Sequence, residues 1–331
     1  MEILVLNGSE VRGAMSMREW IEADKSAAAM YSKKQCDIPL RTNIDVKDAE
    51  GQALFMPGVV EGENALGIKI VSVYPNNAAR NLPSLSATVL VMEKETGAVK
   101  GILDGTELTK MRTGALAGAA TDLLARKDAK TFLLIGTGGQ AESQLEAVLA
   151  VRDIQTAYVF NRKQEKAEAF VEGVKEHMAP YGAELIAVSD LDGVIENADV
   201  ITAVTTAKEP VFEGSKVKAG CHINGMGAYT PEMIELDPEI VVRADKVFLD
   251  TVDGVMNEAG DMMQPVKDGR VGKEKLQHEL GELVLEAATG RESDEEITVF
   301  KSTGSAVFDI VTAEALYQTA KSKGIGSTIA L

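Results

Sequence analysis

The sequence predicts an α/β protein: a doubly wound parallel sheet, joined to a second α+β domain built from the N-terminal and C-terminal segments. Three observations predict it. A short apolar run, Thr131-Phe132-Leu133-Leu134-Ile135, leads straight into a glycine-rich turn. Beyond that turn, helix-like and strand-like segments alternate, the pattern of a parallel sheet with crossover helices. Before residue 127 the texture differs, with β-branched runs and a hairpin signal in place of alternation.

The elements follow in order. Ser16-Met17-Arg18-Glu19 has capping-box spacing and opens a helix to about Tyr31. Residues 38–104 are strand-like, and 68–73 and 87–92 have the β-branched content of strands. Glu95-Thr96-Gly97 is a hairpin turn, residues 99–103 the returning strand, and Asp104-Gly105-Thr106 its end. An alanine-rich helix then runs from about Thr109 to Ala125, with Arg112 in its first turns. After 131–135, strands are expected at 157–160, 185–188, 200–204, 222–224 and 247–249, with a helix at 165–177 and a last one from about Ser305 to Ala320. The domain boundaries expected are 1–118 with 305–331 for the first domain and 119–304 for the second. The acidic stretch Glu292-Ser293-Asp294-Glu295-Glu296 reads as a solvated loop, and no internal repeat is present.

Bulk composition bounds the function. The 331 residues are 45% apolar and 26% charged, an ordinary globular balance for two domains. The formal net charge of −17 repels phosphate backbones and anionic lipid, so nucleic acid and membrane are not expected partners. Two cysteines, Cys36 and Cys221, form neither a metal-type spacing nor a disulfide framework, and a cytoplasmic location is expected. The N-terminal stretch lacks a basic region and a long apolar core, so no signal peptide is expected.

The glycine-rich turn is Gly136-Thr137-Gly138-Gly139-Gln140-Ala141. A strand-to-helix turn over a pyrophosphate needs positions without Cβ: Gly136 for the turn, Gly138 for backbone approach, and a small third residue, here Ala141, for packing. The pyrophosphate then sits on the helix N-terminus, where N–H groups and the dipole favour it. This is a Rossmann dinucleotide site. NAD-specific sites place Asp or Glu at the end of the next strand, on the ribose 2′-hydroxyl. Here Asn161 stands there, followed by Arg162 and Lys163. A guanidinium holds a 2′-phosphate bidentately, so NADP(H) is expected over NAD(H), with NAD(H) the second choice. The plainer reading of Arg162 and Lys163 is a solvated helix start.

Three cations occupy unusual places: Arg41 after Pro39-Leu40, Lys69 inside the apolar run Ile68-Lys69-Ile70-Val71, and Arg112 in Met111-Arg112-Thr113-Gly114. Each alone is more often a surface salt-bridge partner, and nothing in the spacing shows that they converge. Converged, they would clamp a carboxylate, and a desolvated lysine beside other cations can titrate near neutrality and move protons. Two motifs are dismissed. His278-Glu279-Leu280-Gly281-Glu282 lacks the second histidine of a zinc helix, and no metal is expected. Cys221-His222 reads as core-facing.

Taken together, these stretches resemble the ornithine cyclodeaminase/mu-crystallin family over nearly the whole chain. The carrying residues are Leu103-Asp104-Gly105, Arg112-Thr113-Gly114, Ile135 to Ala141, His222-Ile223-Asn224-Gly225-Met226-Gly227, Glu258-Ala259-Gly260-Asp261 and Lys301-Ser302-Thr303-Gly304. The resemblance implies a homodimer whose N- and C-terminal segments bind substrate and dimerise around a central Rossmann domain. It implies that Arg41, Lys69 and Arg112 bind an amino-acid carboxylate, and that Ser84, Arg112, Thr202 and Ser302 match cofactor-contacting positions. Cyclodeaminases carry an Asp after the Gly-Gly that follows Ile-Asn. Here Tyr229 stands in that place, and a neutral phenol does not pair with a substrate ammonium. The Glu258 segment and Asn161-Arg162 instead resemble the ketimine-reductase branch, in which Glu258 is a candidate proton donor or imine stabiliser.

The function expected is NADPH-dependent reduction of a cyclic ketimine carboxylate, of the Δ1-pyrroline-2-carboxylate or Δ1-piperideine-2-carboxylate type, to the L-imino acid. Arg41 and Arg112 would hold the carboxylate, and Lys69 with Glu258 the proton on nitrogen. Asp309, in the last helix, is either a supporting acid or an exposed one. The alternatives are an ornithine cyclodeaminase with bound NAD, an alanine or N-alkyl-amino-acid dehydrogenase, and a non-enzymatic dinucleotide-binding protein.

Overall fold

The computed structural model describes residues 2–331; Met1, the first residue of the expected first domain, lies outside the described residues. The chain divides into two compact units, one of residues up to Arg112 together with Ser305–Leu331, the other of Thr113–Gly304. The first boundary falls at Arg112, within one unbroken helix, Gly105–Leu124.

Unit 1 is an eight-stranded sheet packed on helices. Its order is Ser327–Ala330, Glu2–Leu6, Val99–Asp104, Leu85–Met92, Ala65–Val73, Gly51–Val60 and Cys36–Asp37, with Thr42–Val46 also paired to Gly51–Val60. The meander from Gly51 to Asp104 is antiparallel, and Glu2–Leu6 adds to Val99–Asp104 in parallel. The turn at Glu95-Thr96-Gly97 is as expected: Gly97 takes φ +71°, and Glu93 N donates to Ala98 O at 2.7 Å. The terminal strands Glu2–Leu6 and Ser327–Ala330 pair with each other and were not anticipated.

Period-two alternation sorts this sheet into two faces. Lys69, Val71, Val89 and Val91 are buried, while Ile68, Ile70, Leu90 and Ile102 point the other way and are half-buried. The helix Ala306–Lys323 packs against three of these strands and against the helix Met17–Ser32. It is buried nearly all round, as expected of a helix inside a core. Met17–Ser32 starts on the expected capping box, with Glu19 N donating to Ser16 Oγ and Ser16 N donating to Glu19 Oε2. The long helix begins at Gly105 rather than Thr109, because Asp104 Oδ1 accepts from Glu107 N at 2.9 Å and caps it.

Unit 2 is an eight-stranded sheet, parallel throughout. Its order is Glu184–Val188, Thr156–Phe160, Thr131–Ile135, Val200–Ala203, His222–Gly225, Thr298–Lys301, Lys246–Leu249 and His278–Glu279. The chain fills one side outward from Thr131–Ile135, then returns to lay Val200–Ala203 against its other side. That reversal is the switch point at which doubly wound sheets bind ligands, beyond the strands' carboxyl ends. The central strands Thr131–Ile135 and Val200–Ala203 are near-continuous apolar runs, as strands covered on both faces require.

Two contacts fix the long helix to this sheet layer. Gly114 lies where a Cβ would strike the Ser143 backbone, so only glycine lets the helix come this close. At the other end, buried Arg152 donates to the carbonyls of Thr121, Asp122, Ala125, Arg126 and Val151, satisfying acceptors that a helix C-terminus leaves open.

Candidate active site

Unit 1 brings the three cations together. Lys69 sits in its strand opposite Met56 and Val89, on the face turned to the C-terminal helix. Its Nζ lies 2.5 Å from Asp309 Oδ2, and Arg112 Nε lies 2.9 Å from Asp309 Oδ1. Lys69 is 3% exposed, Arg112 5% and Asp309 0%, so none of these is the surface salt-bridge group it resembles in isolation. Arg41 is half-buried and close enough to act on Lys69 electrostatically. Asp309 is thus the acid that binds the cluster, not an exposed helix residue.

The electrostatics follow from burial. Desolvation lowers the Lys69 ammonium from 10.5 to about 8; the Asp309 carboxylate opposes this, and the positive charges of Arg112 and Arg41 add to it. Asp24, on the helix Met17–Ser32, is fully buried with no hydrogen-bond partner at either carboxyl oxygen. Burial pushes it well above the usual carboxylate range, with Arg112 opposing and Asp309 reinforcing. Burial thus favours its neutral form. The cluster keeps excess positive charge, and Arg112 Nη1 is buried without a hydrogen-bond partner. A desolvated guanidinium of this kind is suited to a carboxylate ligand.

Unit 2 holds the glycine loop at the switch point. Gly136 takes φ +107°, and an added Cβ would lie 2.7 Å from Val204 O on the adjoining strand end. Gly136 N donates to Phe160 O at 2.9 Å, tying the loop to the next strand. Around Gly138 and Gly139 an added Cβ would meet nothing within 4 Å, so that surface offers bare backbone. The helix Ala141–Val151 begins at Gln140, whose side chain makes no capping hydrogen bond. Bare backbone before an uncapped helix start fits a pyrophosphate. Asn161 Nδ2 donates to Thr137 Oγ1 at 2.8 Å, and Asn161 Oδ1 accepts from Lys163 N at 3.0 Å. Arg162 is exposed beside it.

The remaining candidates are placed as follows. Ser84 is half-buried in unit 1, where its carbonyl accepts from Tyr74 N. Thr202 is fully buried in its strand and bonded to Asn224 Nδ2. Ser302 donates to Asp250 Oδ2 at 2.7 Å. Glu258 ends the helix Val252–Glu258 in unit 2 and is half-buried. Cys221 and His222 are buried: the thiol is pushed up to about 12 and the imidazole down to about 3, so both are neutral at pH 7. His278 pairs with Glu282 at the surface. Asp24, Glu235 and Asp250 are not singled out by the sequence; Asp250 alone carries a signal, an acid directly after the apolar run Val247-Phe248-Leu249.

Comparisons with known proteins identify the chain's relatives. The model of the ornithine cyclodeaminase/mu-crystallin family matches residues 1–324. A Δ1-pyrroline-2-carboxylate reductase of Bacillus cereus is 39% identical over 327 residues, covering 99% of each chain. The structure of the Thermococcus litoralis Δ1-pyrroline-2-carboxylate reductase, in complex with NADH and L-proline, superposes with a TM-score of 0.91 at 38% identity, over 99% of this chain and 100% of that one. An archaeal alanine dehydrogenase dimer with bound NAD gives a TM-score of 0.90 at 33% identity, covering both chains fully. With the Arg-Thr-Gly and glycine-loop motifs in place and full-length relatives above 30% identity, the chain belongs to the ornithine cyclodeaminase/mu-crystallin family.

Proposed function

We propose that this protein reduces the C=N bond of a cyclic ketimine carboxylate, Δ1-pyrroline-2-carboxylate or its six-membered homologue, to the L-imino acid. The observation that carries the reading is the buried Lys69–Asp309–Arg112 cluster beside Arg41. It combines a cationic clamp for a carboxylate with a lysine that titrates near neutral pH. The reductases of Bacillus cereus and Thermococcus litoralis described above support it.

When bound at the glycine loop, the nicotinamide dinucleotide supplies a hydride for the imine carbon. Arg41 and Arg112 bind the substrate carboxylate and so orient the ring. Lys69, charged below about pH 8, delivers the proton to nitrogen as the C=N π bond breaks, so that one C–H and one N–H bond form. Asp309 keeps Lys69 and Arg112 fixed and their charges balanced. Glu258 is assigned a supporting share in handling the same proton, following its branch of the family. A panel of Δ1-pyrroline-2-carboxylate, Δ1-piperideine-2-carboxylate and pyruvate with ammonia or methylamine, followed by loss of NADPH absorbance, tests the substrate class. Cyclic imino acids should give the highest kcat/KM. Faster turnover of pyruvate with ammonia would make the protein an alanine dehydrogenase instead.

Exposed Arg162 and the absence of a carboxylate at Asn161 support NADPH as the preferred cofactor, with NADH second; the solved relatives named above hold NADH or NAD. Arg162→Glu is expected to cut kcat/KM with NADPH by about 10–100-fold, from losing charge-assisted hydrogen bonds worth about 1.5–3 kcal/mol. NADH turnover should hold or rise. A wild-type preference for NADH would overturn this assignment.

The second face of the unit 1 sheet, with Ile68, Ile70, Leu90 and Ile102 half-buried, fits a copy of itself. A contiguous apolar sheet face on a soluble chain is an interaction surface, and the alanine dehydrogenase relative is a dimer. The homodimer is expected to use this face. Leu90→Asp should then sediment as a monomer, and a variant that still sediments as a dimer would place the interface elsewhere.

A further inference from the structure

Unit 2 contains a second buried charge cluster, built from Glu235, Lys301 and Asp261, each 0% exposed. Lys301 Nζ lies 3.0 Å from Asp261 Oδ2 and 3.4 Å from Glu235 Oε1. Glu235 is also a hub for backbone. Its Oε1 accepts from Gly227 N at 2.6 Å and Ala228 N at 3.0 Å, and its Oε2 accepts from Thr205 N at 2.8 Å. Thr205 follows the strand Val200–Ala203, Gly227 and Ala228 follow His222–Gly225, and Lys301 ends Thr298–Lys301. Three neighbouring strands of the parallel sheet are therefore stitched together at their carboxyl ends by one carboxylate. Gly227 completes the packing, since an added Cβ there would strike the Thr205 backbone.

Stability does not explain this arrangement. Burying three ionisable groups costs desolvation energy that an apolar trio of equal volume avoids, and such replacements are often neutral or stabilising. An apolar trio, however, could not accept three backbone N–H groups. What the triad adds is position: the Glu235 carboxylate, paired with Lys301, accepts backbone N–H groups from two loops and so holds both in one conformation. Those loops border the half of the sheet beyond the switch point. In a doubly wound sheet the first half carries the glycine loop and pyrophosphate, and the second half receives the other mononucleotide.

We propose that Glu235, Lys301 and Asp261 are positioning residues for the nicotinamide end of the dinucleotide, fixing the Thr205 and Gly227–Ala228 backbone on which that end rests. The inference rests on the reading of unit 2 as the dinucleotide site. Its test is a calorimetric titration of the unmodified chain, Glu235→Gln and Lys301→Met with two ligands: whichever of NADPH and NADH binds tighter, and the matching ADP-ribose fragment that lacks nicotinamide. The variants should bind the intact dinucleotide at least about tenfold more weakly and the fragment within about twofold of the unmodified chain. Hydrogen exchange over residues 204–208 and 226–230 should quicken in the same variants. Equal weakening of both ligands, or weakening of neither, would overturn the proposal. Should both variants fail to fold, Asp261→Asn, which keeps shape and removes one charge, decides on the same ligand pair. Failure of the unmodified chain to bind any dinucleotide would instead overturn the functional reading, and this inference with it.

Discussion

Lys69→Ala is expected to lower kcat/KM for the cyclic imino acid by about 10²–10⁴-fold, the range of a lost general acid, while leaving NADPH affinity within about threefold. The split arises because Lys69 belongs to unit 1 and the glycine loop to unit 2. Equal losses in turnover and in cofactor binding would make Lys69 structural. The intact enzyme should show the matching pH dependence. Imine reduction needs the charged amine, so its rate falls as pH rises through about 8. The reverse oxidation needs the neutral amine as base, so its rate rises over the same range.

Asp309→Asn is expected to have the second large effect. The carboxylate makes direct ion pairs with both Lys69 and Arg112, and removing one partner from a buried pair costs about 3–5 kcal/mol. Lys69 escapes part of that penalty by losing its proton. The loss in stability should therefore lie near the lower figure, about 3 kcal/mol, as measured by urea unfolding. Asp309 is also what holds the Lys69 ammonium up against desolvation. Without it, the fall in reduction rate should move to a pH below 8. A variant with unchanged stability and an unshifted pH profile would remove Asp309 from the site.

The parts legible in the sequence are those with local causes. The strand Thr131–Ile135, the turn at Gly136 and the alternation after it each leave a signal within a few residues, because parallel strands are apolar throughout and the turn requires glycine. The cations were visible as residues out of place, such as Lys69 in an apolar strand. Their convergence was not, because Lys69, Arg112 and Asp309 are distant in sequence and meet only when the C-terminal helix lies on the sheet. Asp309 was ambiguous for a specific reason. Its helix is buried nearly all round, so the amphipathic rule that sends acids to solvent does not apply. Asp24 and Glu235 went unnoticed for the same kind of reason: a single buried carboxyl has no sequence period. The strands Glu2–Leu6 and Ser327–Ala330 are short, and they pair with each other from opposite ends of the chain, with Glu2–Leu6 also joining Val99–Asp104.

The reading of Tyr229 separates two chemistries that share a fold. A cyclodeaminase returns its hydride to the product in each turnover, whereas a ketimine reductase consumes one NADPH per product. The most direct measurement is therefore isotopic. With NADPH carrying deuterium at nicotinamide C4 and Δ1-pyrroline-2-carboxylate as substrate, the account predicts L-proline with one deuterium at Cα and one NADPH consumed per proline formed. Conversion of L-ornithine to proline and ammonia with no net change in NADPH or NADH would contradict it.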